Sequence, residues 1–484
     1  MKDIFSKVFI NTFWLLFQRV FARLISFLLT VYLARNLETV DFGRLSFAIS
    51  FVGLFLLFAD LGIITLSIRE VARNREGADV YIGNAVILKG LLSVFTFTII
   101  IFALKLIRVP YETGLIVYLL AGYLLFENMG GLFKAVFQAY QKMIYVVLSD
   151  ITEKAFLFLL CFILISKKYG ITGIGLAYLF SGVLIFLANM LIVNLRFFRP
   201  NYKINLFLWK NILKESSILA IVALLSMVYF NIDIVMLGKM KGEEIAGRYS
   251  VSYHLFYTLA VLSGAFLSAV FPLLSRLSKE SFTLLKKIYE KSFKVIIAMG
   301  IPLSLGCFLL ADRIINLIFG PHYQQSAIVF KIFSPIIIFS FLNSFIGYFL
   351  TSVARQLLIA KMLTFTVITN VLLNLMLIPK YSYIGAASAT VVSEILFSII
   401  FYMVIEKEFK YLPLAMILKS IFSAILMGIL VILLEHLKVN LIVIVPFAGI
   451  AYLILLYIIK YFDDEERIII GRYFRFFKQK LKIF

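Results

Sequence analysis

The sequence predicts an all-α integral membrane protein with about 14 transmembrane helices, arranged as two parallel-repeat six-helix bundles plus two C-terminal helices. Three observations predict this fold. Hydrophobic residues make up 62% of the 484 residues and charged residues only 15%, whereas soluble domains are about 45–50% apolar and about one quarter charged. Apolar windows of membrane-spanning length recur along the whole chain. Two sequence phrases also occur twice, once in each half.

Apolar windows bounded by charged residues, glycine or proline define fourteen candidate spans. Each is long enough to cross the hydrocarbon core of a bilayer, which takes about 20 residues of α-helix. The spans are residues 8–34, 44–67, 80–106, 114–139, 144–165, 171–195, 215–238, 247–274, 292–311, 326–350, 357–378, 384–404, 413–434 and 439–461. An even number of spans places both termini on the same side.

The charge distribution predicts which side that is. The net charge of +21 agrees with the excess of Lys and Arg in cytoplasmic loops of membrane proteins, so it does not indicate nucleic acid as a partner. The most basic connections, 196–214 and 276–294, would then be cytoplasmic. We therefore expect a multi-pass protein of the cytoplasmic membrane with both termini in the cytoplasm. Cys161 and Cys307 lie inside apolar spans, so a disulfide framework is not expected.

An internal repeat predicts the domain organisation. LARNLETVDFGRLS (33–46) and LGKMKGEEIAGRYS (237–250) share a leucine, a small residue, a cation and Gly-Arg-x-Ser. KYGITGIGLAYLFSGVL (168–184) and KYSYIGAASATVVSEIL (380–396) form a second pair in nearly the same register. A six-span unit that occurs twice in one orientation is typical of transporters that alternate access around a site between two bundles.

The repeat divides the chain into four parts. The first six-helix lobe covers residues 1–200, the second 201–410, an additional helix pair 411–462 and a basic, aromatic tail 463–484. The tail either lies on the anionic inner leaflet or is a solvated end. No P-loop, dinucleotide fingerprint or metal-ligand spacing of histidines occurs, and no loop is long enough for a catalytic domain. The sequence therefore predicts that the protein is not an enzyme.

Several cations lie within the predicted spans of the first lobe, where a charged side chain costs about 2.5–3.5 kcal/mol on insertion scales. Arg19 and Arg23 are four residues apart and share a helix face. Lys89 and Lys154 lie in spans three and five. One interpretation is a water-filled cationic cavity for an anionic substrate, with arginine suited to bidentate phosphate binding.

Internal pairing is the alternative for these cations. Glu127 lies in the middle of span four and would pair with one of the two arginines. Lys154 would pair with Glu153 or Asp150, and both lysines could instead extend toward the inner face.

A second group of polar residues occurs in the second lobe. Asp233 lies near the outer end of span seven, Asn370 and Asn374 share one face of span eleven, and Thr390 lies at a comparable depth in span twelve. Oxygen ligands around one carboxylate suit a hard monovalent cation or a proton. Small polar side chains also hold membrane helices together, so helix packing is an equal alternative.

Four motifs resemble the polysaccharide transporter family, which includes flippases of the O-antigen and teichuronic-acid type: FADLG (58–62), NIDIVMLG (231–238), GRYSVSYHL (247–255) and FPLLSRLSKE (271–280). That family belongs to the multidrug, oligosaccharidyl-lipid and polysaccharide exporter superfamily, whose cores are two six-helix lobes. The resemblance implies translocation of a polyprenyl-diphosphate-linked oligosaccharide from the inner to the outer leaflet by alternating access.

The resemblance also implies roles for individual residues. Related lipid II flippases have arginines in their first helix, at the place of Arg19 and Arg23, and an additional helix pair that forms a groove for the lipid tail. Those relatives bind sodium through an acid in helix seven and polar groups in helices eleven and twelve. The matching positions here are Asp233, Asn370, Asn374 and Thr390, together with the carbonyl of Ala386. Asn374 stands where a relative has a second acid, so H⁺ is an alternative to Na⁺ as coupling ion; no other cofactor is implied.

Two other functions are compatible with parts of the sequence. A multidrug or organic-cation antiporter of the same superfamily would need an acidic or aromatic cavity, which the two arginines disfavour. A membrane glycan polymerase would need a substantial outer catalytic loop. The expected partners are a lipid-linked glycan, membrane lipids and glycan-assembly proteins, with the chain itself a monomer.

Overall fold

The computed structural model describes residues 21–409, 413–464, 466 and 467, and every regular element in this part of the chain is helical. Arg19 and most of the 463–484 tail lie outside the described residues. The α-helices are α1 (residues 21–36), α2 (Thr39–Asp60), α3 (Ile63–Arg73), α4 (Ala78–Ile107), α5 (Tyr111–Ala139), α6 (Met143–Ser166), α7 (Gly170–Arg196), α8 (Leu206–Lys241), α9 (Glu243–Glu280), α10 (Phe282–Phe319), α11 (Ser326–Phe333), α12 (Ile337–Ser352), α13 (Gln356–Phe409), α14 (Leu414–His436) and α15 (Leu441–Ile458). Two short 3₁₀ turns, Pro321–Tyr323 and Ser334–Ile336, flank α11.

These elements make the fourteen membrane passes that the sequence predicts. Eleven helical segments of the described chain are long and apolar enough to span a bilayer, with α2–α3 and α11–α12 each acting as one segment. α1 and α6 provide two more passes, α6 being a 24-residue helix that carries Asp150, Glu153 and Lys154. α13 contains two helices that meet at Ser382, where φ is 53° and ψ is −134°.

The break in α13 has a counterpart in the first lobe. Gly170, the first residue of α7, has a φ of 64°, and Ser382 occupies the corresponding position of the second sequence phrase. Pro379 precedes the break and disfavours continuation of the first half of α13. The repeated phrase at 168–184 and 380–396 therefore marks the same turn between two helices in both lobes.

Helix α2 ends earlier than the predicted span 44–67, because the FADLG motif breaks the helix. Leu61 and Gly62 both have positive φ, of 47° and 81°. The Asp60 carboxylate accepts the backbone N–H groups of Gly62 and Ile64 at 3.2 and 3.3 Å, so it satisfies free donors at the start of α3. The motif thus sets the direction in which α3 leaves the bundle.

The helices pack as two bundles and an additional pair. In the first lobe α5 contacts α2 and α7, and α6 contacts α7. In the second lobe α12 contacts α9 and α10, and α13 contacts α8. The lobes meet where α2 lies against α8 and α9, and where α3 and α4 lie against α8. α14 and α15 pack on α10, and their outward side chains, such as Ile442 and Leu453, are apolar and more than half exposed.

The repeated Gly-Arg-x-Ser phrases meet each other at the interface between the lobes. A Cβ atom on Gly43 of α2 would lie 1.8 Å from the carbonyl oxygen of Glu243, and one on Gly247 of α9 would lie 2.6 Å from the carbonyl oxygen of Thr39. Neither position has room for a side chain, so glycine allows the two helices to touch through their backbones. We call this end of the bundle, where the α1–α2 and α8–α9 connections lie, the linker end.

The cations of the same phrases also cross the interface. Arg35, at the end of α1, donates from Nε to the carbonyl oxygen of Ile318 at 2.7 Å, near the C-terminus of α10. Lys239, at the end of α8, donates to the carbonyl oxygen of Ile107 at 2.5 Å, the last residue of α4. Each cation thus binds the negative end of a helix in the opposite lobe. The phrase occurs twice because each copy supplies one side of the contact between the lobes.

Candidate functional site

Arg23 has no acidic partner among the described residues. Its side chain is exposed on α1, and it forms no ion pair or hydrogen bond with another described residue. Its charge nevertheless acts on Tyr257 and His254 of α9, so Arg23 faces the second lobe. The alternative in which Arg23 pairs with Glu127 is therefore not the arrangement seen in the described chain.

Lys89 does not have the open position expected of a cavity cation. Its side chain is 0% exposed, and its Nζ lies 2.7 Å from Asp60 Oδ1 and 3.1 Å from the carbonyl oxygen of Asn128. The break after α2 brings the Asp60 carboxylate to this lysine. Sequence spacing did not reveal the pair because the prediction treated span two as one continuous helix.

Lys154 follows the internal-pairing alternative. Its Nζ lies 2.9 Å from Glu153 Oε1 and donates to Tyr123 Oη at 3.0 Å. Tyr123 in turn donates to Glu153 at 2.9 Å. The Glu153 carboxylate is buried, with its side chain 1% exposed. Lys154 and Tyr123 supply the opposite charge and the hydrogen bonds that a buried carboxylate requires.

A third lysine in the interior of the first lobe is also paired with an acid. Lys134, which the sequence analysis did not single out, binds Asp150 at 2.8 Å. Glu127 makes no ion pair with a described residue, but its charge acts on Lys89, Lys134 and Lys154. The lysines of the first-lobe interior are thus matched by acids, and Arg23 is the described cation there that remains open to a ligand.

In the second lobe, the structure brings the predicted cluster around Asp233 together. Asn374 Nδ2 lies 2.6 Å from Asp233 Oδ1, and Thr390 Oγ1 lies 2.5 Å from Asp233 Oδ2. Asn370 Oδ1 accepts from Asn374 at 3.1 Å, and the carbonyl oxygen of Ala386 accepts from Thr390 at 3.1 Å. All five residues are buried, with Asp233 only 2% exposed. We call these five residues the Asp233 cluster.

Tyr249 is a member of this site that sequence reasoning missed. Its hydroxyl donates to Asp233 Oδ2 at 2.8 Å, and the side chain is fully buried. A signal was present in the repeat, because the second phrase has Tyr249 where the first has Leu45. At this position the two copies of the repeat differ in side-chain chemistry, because only the second copy has a hydroxyl group.

The donor set of the Asp233 cluster fits a small cation. It offers a carboxylate, a hydroxyl, amide oxygens and a backbone carbonyl, which are ligands that hard cations prefer. Asn374 Oδ1 is buried and accepts no hydrogen bond from a described residue, so one oxygen in the cluster is still available. Whether a cation binds there remains a prediction.

An apolar cavity of about 640 Å³ lies between the second lobe and the additional helix pair. α9 and α10 provide one wall, with Leu303 and Cys307 among its residues, and α14 and α15 provide the other, with Met427 and Leu453. A space of this kind can hold hydrocarbon, because its lining offers few groups that water could bind.

Two protein-family models match the sequence of the chain. Residues 8–278 match the family model for polysaccharide biosynthesis proteins. Residues 219–376 match the MatE family model. The probable low-salt glycan biosynthesis flippase Agl15 of Haloferax volcanii is 25% identical over 34% of this chain and 35% of its own length. The capsular polysaccharide biosynthesis protein CapF of Staphylococcus aureus is 24% identical over 82% of this chain and 99% of its own length.

Solved structures share the fold. The lipid II flippase MurJ in an inward closed conformation superposes with a TM-score of 0.78 at 16% identity, covering 92% of this chain and 98% of that one. An inward-facing multidrug resistance transporter of the MATE family gives a TM-score of 0.66 at 16% identity, covering 80% of this chain and 95% of that one.

The family model covers more than half of the chain, and the helices form the two-lobed bundle that the motifs predicted. The resemblance noted from the sequence is therefore confirmed. The chain therefore belongs to the polysaccharide biosynthesis protein family and is a multi-pass membrane protein with the fold of the solved flippase and multidrug transporter structures.

Proposed function

We propose that the protein is a flippase that carries a polyprenyl-diphosphate-linked oligosaccharide from the inner to the outer leaflet by alternating access. The family and the relatives named as flippases support this class of substrate. The observation that carries the proposal is Arg23, a cation without an acidic partner in the described chain, which faces the opposite lobe. Arginine binds phosphate oxygens bidentately, and a diphosphate would supply the negative charge that Arg23 lacks.

The proposal also assigns the other parts of the substrate to residues of this chain. Arg19, four residues before Arg23 in the sequence, is the second proposed diphosphate ligand. Glu127, Lys89 and Lys154 would tune the charge of the first lobe and remain secondary candidates for contact with substrate. The apolar cavity beside α14 and α15 would accommodate part of the polyprenyl tail, which gives the additional helix pair a function.

The proposed energy source is a cation gradient or the membrane potential, with Na⁺ binding at the Asp233 cluster and H⁺ as the alternative. Asp233, Asn370, Asn374, Thr390 and the Ala386 carbonyl would hold the ion. A bound cation would neutralise a carboxylate that is costly to bury without compensation. Because the cluster joins α8 to both halves of α13, ion binding there would favour one arrangement of the second lobe over another.

A multidrug antiporter is the second candidate, because the MatE model matches residues 219–376. That match lies mainly in the second lobe, whereas Arg23 lies in the first. An organic cation would be repelled by Arg23, and Asp60, Asp150 and Glu153 of the first lobe are already paired with lysines. The flippase is therefore the proposed function.

A complementation experiment tests the proposal. In cells that lack their own lipid-linked glycan flippase, the wild-type chain should restore glycan export, and Arg19→Ala with Arg23→Ala should reduce export to less than about a tenth, since a hydrogen bond to a charged group contributes about 1.5–3 kcal/mol. Arg276→Ala is the matched control, because that arginine is exposed and binds Glu280 at 3.4 Å. Wild-type export by a well-expressed double variant would refute the diphosphate site.

A further inference from the structure

A second buried carboxylate lies next to the Asp233 cluster. Glu394, 7% exposed, follows Thr390 by one helical turn in the second half of α13. Its Oε1 accepts the Tyr229 hydroxyl at 2.9 Å, and its Oε2 accepts Asn343 Nδ2 at 2.5 Å. Tyr229 precedes Asp233 by one turn on α8. Asp233 lies on α8 and Glu394 lies on α13, and each carboxylate is one helical turn from a residue that contacts the other carboxylate's helix.

No described cation contacts Glu394. α12 contributes the neutral Asn343, and Lys331 of α11 is paired with Asp312. Among the described residues of the helices packed against it, the titratable groups near Glu394 are Tyr229 of α8 and Tyr253 and Tyr257 of α9. Asp233 lies one turn after Tyr229 on α8. This arrangement differs from the first lobe, where Glu153 has Lys154 as its partner.

Burial without a contacting cation favours the neutral acid at Glu394 over the carboxylate. An ionised group buried without an opposite charge costs several kcal/mol, and protonation removes that cost. Ser398 donates to Asn343 Oδ1 at 2.6 Å, which leaves the amide nitrogen directed at Glu394. The acid's carbonyl oxygen can then accept from Asn343, and its hydroxyl oxygen can accept from Tyr229 Oη.

We propose that Glu394 is a proton-binding site, separate from the Asp233 cluster, that holds a proton in this conformation. The contact between α12 and α13 would control it, because Asn343 belongs to α12 and is partly exposed. When α12 moves away from α13, water reaches the acid, the O–H bond breaks, and water takes the proton.

Proton binding at Glu394 would be linked to cation binding at Asp233. A cation one turn away attracts the ionised form of Glu394, so cation binding favours proton release, and by reciprocity a bound proton weakens cation binding. This linkage would exchange the two ions during a transport cycle. The linkage rests on the proposed function, whereas proton binding at Glu394 does not.

Infrared spectroscopy of the purified full-length protein in detergent tests the proton site. At neutral pH, the difference between wild type and Glu394→Gln should contain the carbonyl stretch of one carboxylic acid. Glu435→Gln is the control, because Glu435 is partly exposed with Arg313 at 3.8 Å, and its difference spectrum should contain carboxylate bands alone.

A second variant keeps the test decisive if Glu394→Gln does not fold. Tyr229→Phe removes one hydrogen-bond partner and should shift the carboxylic-acid band without abolishing it. Carboxylate bands in the Glu394→Gln difference spectrum, or an acid region that Tyr229→Phe leaves unchanged, would overturn the proposal. The measurement needs no glycan and no transport, so its outcome is independent of whether the flippase proposal holds.

Discussion

Asp233 is the residue on which the polar interactions of the second lobe converge. Its two oxygens accept hydrogen bonds from Tyr249 on α9 and from Asn374 and Thr390 on the two halves of α13. These donors would stabilise an ionised carboxylate but carry no charge, so the ionised form would leave a net negative charge in a buried place. A cation is the partner that would complete the cluster.

The residue-scale prediction concerns ion dependence. Na⁺, compared with an equal concentration of choline, should raise the thermal unfolding temperature of the wild type, because a ligand at about 100 times its Kd stabilises by about 2.7 kcal/mol. Asp233→Asn should abolish this increase, and Thr390→Ala should weaken Na⁺ binding by about 10- to 100-fold, the range measured when metal sites lose a supporting group.

Thermal unfolding monitored by a fluorescent thiol-independent dye, with Glu435→Gln as control, measures both effects. If Na⁺ stabilises Asp233→Asn as strongly as the wild type, the cluster is a helix-packing contact.

The same residues show what the sequence could predict. Asn370 and Asn374 could be assigned to one site because a spacing of four places side chains on one helix face. Lys89 and Asp60 could not be paired, because their contact depends on the turn at Leu61 and Gly62. Tyr249 escaped notice because an aromatic residue in an apolar helix usually indicates packing.

At the scale of helices, the contact between α2 and α9 holds the lobes together at the linker end. Gly43 and Gly247 permit the backbones to touch, and Arg35 and Lys239 each bind a helix end in the opposite lobe. The arrangement is nearly symmetric because both halves come from one repeated phrase. Opening of the linker end must therefore break the Arg35 contact and the Lys239 contact at the same time.

Gly247→Ala should therefore favour an open linker end. Its Cβ would lie 2.6 Å from a backbone oxygen, and overpacking of this kind costs about 1–3 kcal/mol. Gly264→Ala in the same helix is the matched control, because no atom lies within 4 Å of its Cβ position.

Spin labels at Arg108→Cys and His322→Cys, with Cys161 and Cys307 replaced by alanine, report the distance between the lobes by pulsed electron resonance. Gly247→Ala should add a longer distance that Gly264→Ala lacks, and identical distance distributions in the two variants would contradict this role of the glycine contact.

Helix number was easier to predict than helix geometry. Hydropathy detects the part of a helix inside the membrane, so it indicated fourteen passes but missed the extensions of α9 and α10, which are 38 residues each. The repeated phrase 380–396 marked the turn in α13, whereas the single FADLG motif did not reveal the break between α2 and α3. Breaks depend on a few residues with positive φ, which hydropathy does not detect.

At the scale of the whole molecule, the two lobes have different chemistry on a common framework. The first lobe pairs its lysines with acids and leaves Arg23 open, and the second buries Asp233 and Glu394 without a described cation. Substrate binding by the first lobe and ion binding by the second would couple through the shared interface of α2 with α8 and α9. The additional pair, α14 and α15, extends the second lobe toward the lipid with an apolar cavity.

Transport by the purified protein tests the proposed flippase function most directly. In proteoliposomes, translocation of a fluorescent polyprenyl-diphosphate oligosaccharide can be followed with a membrane-impermeant quencher, with a fluorescent organic cation as the comparison substrate. If the protein is a flippase for lipid-linked glycans, the wild type should move the glycolipid and not the organic cation, and Arg23→Ala should slow glycolipid movement at least about tenfold while Arg276→Ala should not. Equal glycolipid movement by wild type and Arg23→Ala, or movement of the organic cation alone, would contradict it.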